Sequence, residues 1–287
     1  MAGKWSNRVH GGYALRKKAI EGRDNEDSVL CRASDGAIGV FDGIGSYAEA
    51  RMASKIARER CAAVLSEIDT ERFAQIDQAM DKVSKAILAA QEGITDLQRM
   101  YPQAGDGGTT ASIVKLWQNP ETKQVFAIFA NIGDSRIYYW KNSEKDLYRL
   151  TRDDNVLLQW MEYGWVQEED IEKFTDLIDD YTGTDELPPI ASEAWDHRNT
   201  ICAWLGMPDI SFRIGAIEMQ IGDVVVATTD GIHDNLTSTE IKKIIAEHSS
   251  PRETALRLVD VAAAVAAVSD SPRAKPDDMA VAVLELE

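Results

Sequence analysis

The chain has 287 residues, 44% of them hydrophobic, enough to bury a sizeable core in one large domain or two small ones. Its 48 acidic against 31 basic side chains give a formal net charge of -17, which repels a phosphate backbone unless the basic residues gather on one face, so no nucleic-acid partner is expected. The same acidity suits bound divalent cations, whose charge reverses the local sign for a phosphate group.

Residues 1–10 include Lys4 and Arg8 but lack the apolar run of a secretory signal. The most lipid-like stretch, 256–268, is too short to span a bilayer and contains Asp260. Cys31, Cys61 and Cys202 are odd in number, far apart and without a C-x-x-C spacing, which predicts buried thiols in a reducing compartment. A cytoplasmic monomer with no membrane contact is the expectation.

In chain order, strands are predicted at 9–15, 27–33 and 37–41, the last two joined by the turn Ser34-Asp35-Gly36. A helix over 47–68 should bury Met52, Ala53, Ile56, Ala57 and Val64. From Phe73, apolar residues at Ile76, Met80, Val83, Ile87, Ala90, Ile94 and Leu97 step by three and four, one stripe of a long helix started by Asp69-Thr70-Glu71. Strands follow at 110–116, 125–132 and 136–140. The aromatic, acidic segment 155–197 reads as a partly helical, flap-like insertion whose Trp160, Tyr163, Trp165, Phe174, Tyr181 and Trp195 form a satellite cluster rather than a binding surface. Strands at 211–218 and 223–229, helices after Thr237 and Ser250, and a last strand at 279–286 complete the chain. The continuous apolar runs at 125–130 and 224–228 predict strands covered on both faces. Hairpins separated by helix pairs then suggest an α+β fold of two stacked antiparallel sheets flanked by helices.

Carboxylates recur at the ends of these strands. Because the 27–41 hairpin returns on itself, Asp27 and Asp42 should meet at one sheet edge, and Gly43 lets a main-chain carbonyl approach an ion. Asp230 follows one buried strand, Asp277 and Asp278 precede another, and Asp134 sits in a turn between two more. Taken singly, each such Asp-Gly or Gly-Asp reads as well or better as a turn or a helix cap. As a set they offer the oxygen ligands that Mg2+ and Mn2+ take.

Read in order, Asn25-Glu26-Asp27, Val40-Phe41-Asp42-Gly43-x-Gly45, Gly108-Thr109-Thr110-Ala111, Asn131-Ile132-Gly133-Asp134-Ser135-Arg136 and Thr229-Asp230-Gly231-Ile232-His233-Asp234 resemble the motifs of type 2C metal-dependent protein phosphatases. Leu150-Thr151-x-Asp153, His197-Arg198-Asn199 through Leu205-Gly206, and Asp277-Asp278-Met279 extend the resemblance over almost the whole chain. It implies a single catalytic domain over 1–287, a four-layer α-β-β-α sandwich with a binuclear Mg2+ or Mn2+ centre at one end between the sheets. Carried over by position, Asp42 would bridge two ions, the Gly43 carbonyl would serve one, and Asp230 with Asp277 would serve the other. Asp134 with Asp230 would accommodate a third ion, Glu26 and Asp27 would hold metal-bound water, and Arg23 would bind phosphate.

The resemblance has gaps. Ile44 stands where some members carry a histidine proposed as the general acid, Ser46 replaces a glycine and Thr229 a frequent serine. Asp278 and Ala280 stand for the usual Asn and Thr, and Asp278 is an alternative to Asp277 one residue away. His233 is expected to be structural. The implied function is hydrolysis of phosphoserine and phosphothreonine in phosphoprotein substrates by in-line attack of a water bridging two cations. The alternatives are a silent phosphate-sensing or scaffolding member of the same fold and a phosphoesterase for small molecules.

Overall fold

Alternating apolar and polar positions at the start of the chain, then nearly continuous apolar runs, build strands of two kinds, edge and central. The structure, a computed structural model, describes residues 5, 8–19, 23–45, 47–68, 74–102, 107–247 and 249–287, with the backbone alone at 47 and 48. The first half contains β1 (Val9–Arg16), β2 (Ser28–Arg32), β3 (Ala37–Phe41), β4 (Gly43–Ile44), α1 (Tyr47–Ser66), α2 (Ile76–Met100), β5 (Gly108–Thr109), β6 (Ala111–Gln118), β7 (Val125–Ile132), β8 (Arg136–Lys141) and β9 (Asp146–Arg149). The insertion supplies α3 (Val156–Glu162), α4 (Glu168–Asp179) and α5 (Pro189–Asp196). Then come β10 (Arg213–Met219), β11 (Val224–Thr228), α6 (Asp230–His233), α7 (Ser238–Ala246), α8 (Pro251–Ala266) and β12 (Met279–Leu286).

The strands form two five-stranded antiparallel sheets, in the orders β1-β12-β11-β8-β9 and β10-β7-β6-β3-β2, with β4 and β5 as a small separate pair. Side-chain alternation fills three apolar layers. Val225, Ala227, Ala282 and Leu284 of the first sheet meet Ile38, Val40, Val114 and Leu116 of the second. The opposite faces of the same strands, Val224, Val226, Val281 and Val283, pack under α7 and α8. Phe41, Ile113, Trp117 and Ile128 pack under α1 and α2. The result is the expected four-layer α-β-β-α sandwich.

Several boundaries differ from the sequence reading. The strand expected to reach residue 33 ends at Arg32, and Ala33–Asp35 make a 3-10 turn closed by Gly36 in the left-handed region, φ 64°. β9 was not anticipated, since a four-residue, half-buried edge strand with charged ends carries little apolar signal. Met52 is 42% exposed, because the buried face of α1 follows Ala50, Ala53, Ala57, Cys61 and Leu65 instead. The helix start expected at Asp69-Thr70-Glu71, and Phe73 after it, lie outside the described residues. α2 begins at Ile76, where the Gln78 side chain reaches back to the Gln75 amide at 3.4 Å. All three cysteines are free, but only Cys61 is fully buried. Among the described residues no helix is long and apolar enough to cross a membrane.

The insertion carries its own small core of Leu157, Val166, Ile171, Phe174, Ala191 and Ala194, with Trp160 packed against it. Trp195 is buried and meets Tyr181 edge-on, 5.0 Å between ring centroids. Tyr163 and Trp165 depart from the expected cluster: they are exposed and lean on each other at 5.3 Å.

Candidate metal centre

Strand register brings the strand-end carboxylates to one end of the sandwich. Ser28 pairs with Phe41, so Asp27 and Asp42, one residue beyond, share an edge. Ala111 pairs with Ile132 at the same end, which places the turn holding Asp134 beside them. Thr228 pairs with both Arg136 and Val281, and so Asp230 and Asp277 emerge there from the other sheet. Asp42, Gly43, Asp134, Asp230, Asp277 and Glu26 line a single cleft of about 240 Å³, together with Lys18, Thr110 and Asn199.

The backbone of Asp42 is clamped from below. Its carbonyl accepts from the Thr109 hydroxyl at 2.7 Å and the Thr110 amide at 2.9 Å, while its amide donates to Thr110 Oγ1 at 3.0 Å. The 108–111 motif thus fixes Asp42 and leaves its carboxylate to the cleft. Gly43 is required by space: a Cβ there would stand 2.5 Å from the Ala50 carbonyl oxygen and 2.8 Å from that of Glu26. Gly231 is required in the same way, since its Cβ would stand 2.0 Å from the carbonyl oxygen of Asp278. That contact draws the Asp230 turn against the strand entry at 277–279.

Thr229 does the linking work of a hydroxyl residue. Its Oγ1 donates to Asp27 Oδ2 at 2.8 Å and accepts from the Ala280 amide at 2.9 Å. Asp278 is a strut: buried, with Oδ1 accepting from the Lys18 amide and Oδ2 from the Glu26 amide, each at 2.7 Å. With both oxygens taken by the backbone, it is poorly placed to bind an ion, whereas the Asp277 side chain keeps 28% exposure.

Electrostatics make the cleft unfavourable without cations. Burial pushes Asp42 well above the usual carboxylate range, and the charges of Asp27, Asp230, Asp277 and Asp134 push it further. Asp134 and Asp27 are raised chiefly by burial and then by acidic neighbours, although the Thr229 hydroxyl opposes the shift at Asp27. Asp277 is pushed up to about 6 by burial and by Asp230. Burial also raises Asp230, but the Lys275 ammonium outweighs it and holds that group below its ordinary value. Glu26 Oε1, Asp27 Oδ1 and Asp230 Oδ1 are buried without a hydrogen-bond partner. An all-oxygen donor set with orphaned buried oxygens fits a hard divalent cation. Among the described residues, no three acid, histidine or cysteine side chains stand together as a ready-made metal cage. The space shared by Asp230 and Asp234 holds the Lys275 ammonium, at 2.5 Å and 2.7 Å.

Residues 16–267 match the family model described as Protein phosphatase 2C. The chain belongs to the protein phosphatase 2C family. It is therefore a phosphatase of the serine/threonine class that this family comprises. Among curated relatives, the protein phosphatase PhpP of Streptococcus pneumoniae is 23% identical over 232 residues, 80% of each chain. Among solved structures, the Mycobacterium tuberculosis serine/threonine phosphatase PstP/Ppp superposes with a TM-score of 0.73 at 21% identity, covering 98% of this chain and 99% of that one. The catalytic domain of PstP in complex with two manganese ions gives 0.71 at 19% identity, covering 97% and 98%.

Within this type 2C fold, Ile44 lines the cleft and brings no proton to it. Arg23 is not among the described residues that line the cleft; its side chain is 46% exposed at the rim, with Nη1 3.9 Å from Glu26 Oε1. The cation that does line it is Lys18, with Nζ 3.5 Å from Glu26 and 3.6 Å from Asp277. Lys18, Lys275 and Asp234 were not singled out by sequence reasoning. Lys18 and Lys275 lie outside the named motifs, and only Asp234, at the end of one, offered a signal.

Buried cations tie the insertion to the centre. Arg136, two residues after Asp134, makes paired hydrogen bonds to Asp153 and an ion pair with Asp179 of α4 at 3.0 Å. Arg273 donates to the carbonyls of Ile178 and Tyr181 in the insertion and of His233 and Leu236 beside Asp230. His233 is buried as expected, with Nδ1 3.1 Å from the Thr228 hydroxyl, and burial followed by the charge of Arg136 holds its pKa well below 6.5. A histidine depressed in the folded state contributes stability that is present above its unfolded value and is lost as pH falls toward the folded one. The thermal midpoint of His233→Gln should accordingly fall less than that of the wild type between about pH 7 and pH 5; equal falls would assign the acid sensitivity elsewhere.

Proposed function

We propose that this cleft hydrolyses phosphoserine and phosphothreonine in proteins with two divalent cations, Mg2+ or Mn2+, held by Asp42, the Gly43 carbonyl, Asp230 and Asp277. The observation that carries this reading is the convergence of Glu26, Asp42, Asp134, Asp230 and Asp277 on one cleft at the end of two sheets, with Glu26 Oε1 and Asp230 Oδ1 buried and without a hydrogen-bond partner. When bound, the cations would lower the pKa of water toward neutrality and offset phosphate charge. Asp42 would serve both ions from a backbone fixed by Thr109 and Thr110, so its carboxylate pays little entropy to be placed. Glu26 and Asp27, the latter oriented by Thr229, would accept hydrogen bonds from water and align it. Lys18 in the wall and Arg23 at the rim would orient phosphate oxygens, the guanidinium by two parallel hydrogen bonds. No side chain at position 44 can protonate the leaving alkoxide, which would take its proton from water. We also propose that 1–287 acts as one catalytic unit, with the insertion held to it through Arg136, and that it works in the cytoplasm, a setting that suits its free thiols.

The test is turnover of phosphoserine, phosphothreonine and phosphotyrosine peptides with Mn2+ or Mg2+. Hydrolysis of the first two that stops on complete chelation is expected, and activity that survives chelation would overturn the metal reading. A second expectation concerns stability. Raised folded-state pKa values at Asp27, Asp42, Asp134 and Asp277 mean that their contribution is present at low pH and lost as pH rises, through about 6 for Asp277. The metal-free protein is thus penalised at neutral pH. Saturating Mn2+ should raise the thermal midpoint by roughly 5 °C at neutral pH, and the gain should shrink as pH falls below 6. A gain independent of pH would place the bound ions elsewhere.

A further inference from the structure

Lys275 meets the acidic residues of the centre from a loop fixed at its backbone. Asn235, fully buried, accepts from the Lys275 amide through Oδ1 and donates to the Lys275 carbonyl through Nδ2, each at 2.9 Å. The same Nδ2 donates to the carbonyl of Gly231 at 2.9 Å. Two residues earlier, Arg273 binds the carbonyls of His233 and Leu236. The loop is therefore locked to the Asp230 turn on both sides of Pro276's predecessor, and the lysine side chain, only 12% exposed, has one direction to go. Its Nζ lies 2.5 Å from Asp230 Oδ2, 2.7 Å from Asp234 Oδ2 and 3.6 Å from Asp277 Oδ2.

We propose that the Lys275 ammonium is a tethered cation standing where a third divalent ion would otherwise bind against Asp230 and Asp234, so that this chain holds two ions and not three. The inference rests on the proposed two-ion phosphatase centre. Three features carry it. The ammonium spends its donors on Asp230 Oδ2 and Asp234 Oδ2, the oxygens an ion at that place would need. Asp230 Oδ1, buried in a residue 9% exposed, has no hydrogen-bond partner and remains for an ion shared with Asp42 and Asp277. Lastly, an ammonium carries a single charge and no open coordination position, so it neutralises the acidic pair without presenting a further water.

The experiment is Mn2+ stoichiometry by equilibrium dialysis and elemental analysis of the full chain near neutral pH, on wild type, Lys275→Met and Lys275→Arg. Two ions are expected for wild type and for Lys275→Arg, and three for Lys275→Met. The double variant Lys275→Met with Asp234→Asn should return to two. Lys275→Met should also show a larger Mn2+-induced rise in thermal midpoint than wild type, because Asp230, Asp234 and Asp277 then lack their tethered counterion until metal is added. If Lys275→Met folds only in Mn2+, it is purified in Mn2+ and counted after dialysis to defined free metal, with Lys275→Gln as the second neutral variant. Two ions in both wild type and the neutral variants would overturn the role of Lys275 while leaving the phosphatase centre standing. Three ions in wild type would overturn it as well. No Mn2+ in any variant would overturn the two-ion centre itself.

Discussion

Asp42→Asn should cost about a thousandfold or more in kcat/KM on a phosphothreonine peptide, equivalent to roughly 4 kcal/mol of transition-state stabilisation. Asp42 is the one carboxylate proposed to serve both ions, and its main chain is held by Thr109 and Thr110, so no neighbour can move into its place. The same change should not harm the metal-free fold. Asp42 is raised well above the usual range by burial and by four acidic neighbours, so an uncharged isostere relieves repulsion. In chelator, the thermal midpoint of Asp42→Asn should equal or exceed that of the wild type, whereas in Mn2+ the order should reverse. Retained turnover, or a loss of stability in chelator, would show that Asp42 works as a structural residue.

Arg136→Met should destabilise the fold by about 3–5 kcal/mol, the range for removing one partner of a buried ion pair and leaving the others uncompensated. Arg136 is 5% exposed, hydrogen-bonds Asp153 through two nitrogens and pairs with Asp179, itself paired with Arg149. Methionine keeps the volume but strands the Asp153 carboxylate. Urea unfolding measures the loss, and adding Asp153→Asn should restore much of it. The insertion should also respond, since Asp179 closes α4 and joins it to β8. Amide exchange in 168–179 should speed up in Arg136→Met more than in α1 or α2, and uniform protection would mean the insertion is held by its own small core alone.

Much of this architecture could be read from the chain because the informative residues are tied to strand ends. Buried strands have long apolar runs with sharp polar limits, and β12, read at 279–286, has those bounds in the structure. The Asp27 and Asp42 edge followed from a hairpin whose register is set by a turn with Gly36 in the left-handed region. Side chains that act from outside such limits were invisible. Lys18 reaches the cleft because β1 ends there, and Lys275 reaches Asp230 because Asn235 fixes its loop; neither relation leaves a local pattern. The pairing of Arg136 with Asp179 spans the body and the insertion, and no periodicity encodes it. Asp278 shows the converse, a residue whose motif position suggested a ligand but whose oxygens accept from two distant backbone amides. Met52 was misplaced by one helical step because α1 buries small residues, Ala50, Ala53 and Ala57, which give a weak apolar signal.

The most direct test of a shared two-cation centre is anomalous scattering from crystals of the wild-type protein grown with Mn2+. Two peaks are expected in the cleft, one touching Asp42 and the carbonyl of Gly43, the other touching Asp42, Asp230 and Asp277, with the Lys275 ammonium still on Asp234. Manganese found only on the outer surface, with these carboxylates contacting no ion, would contradict it.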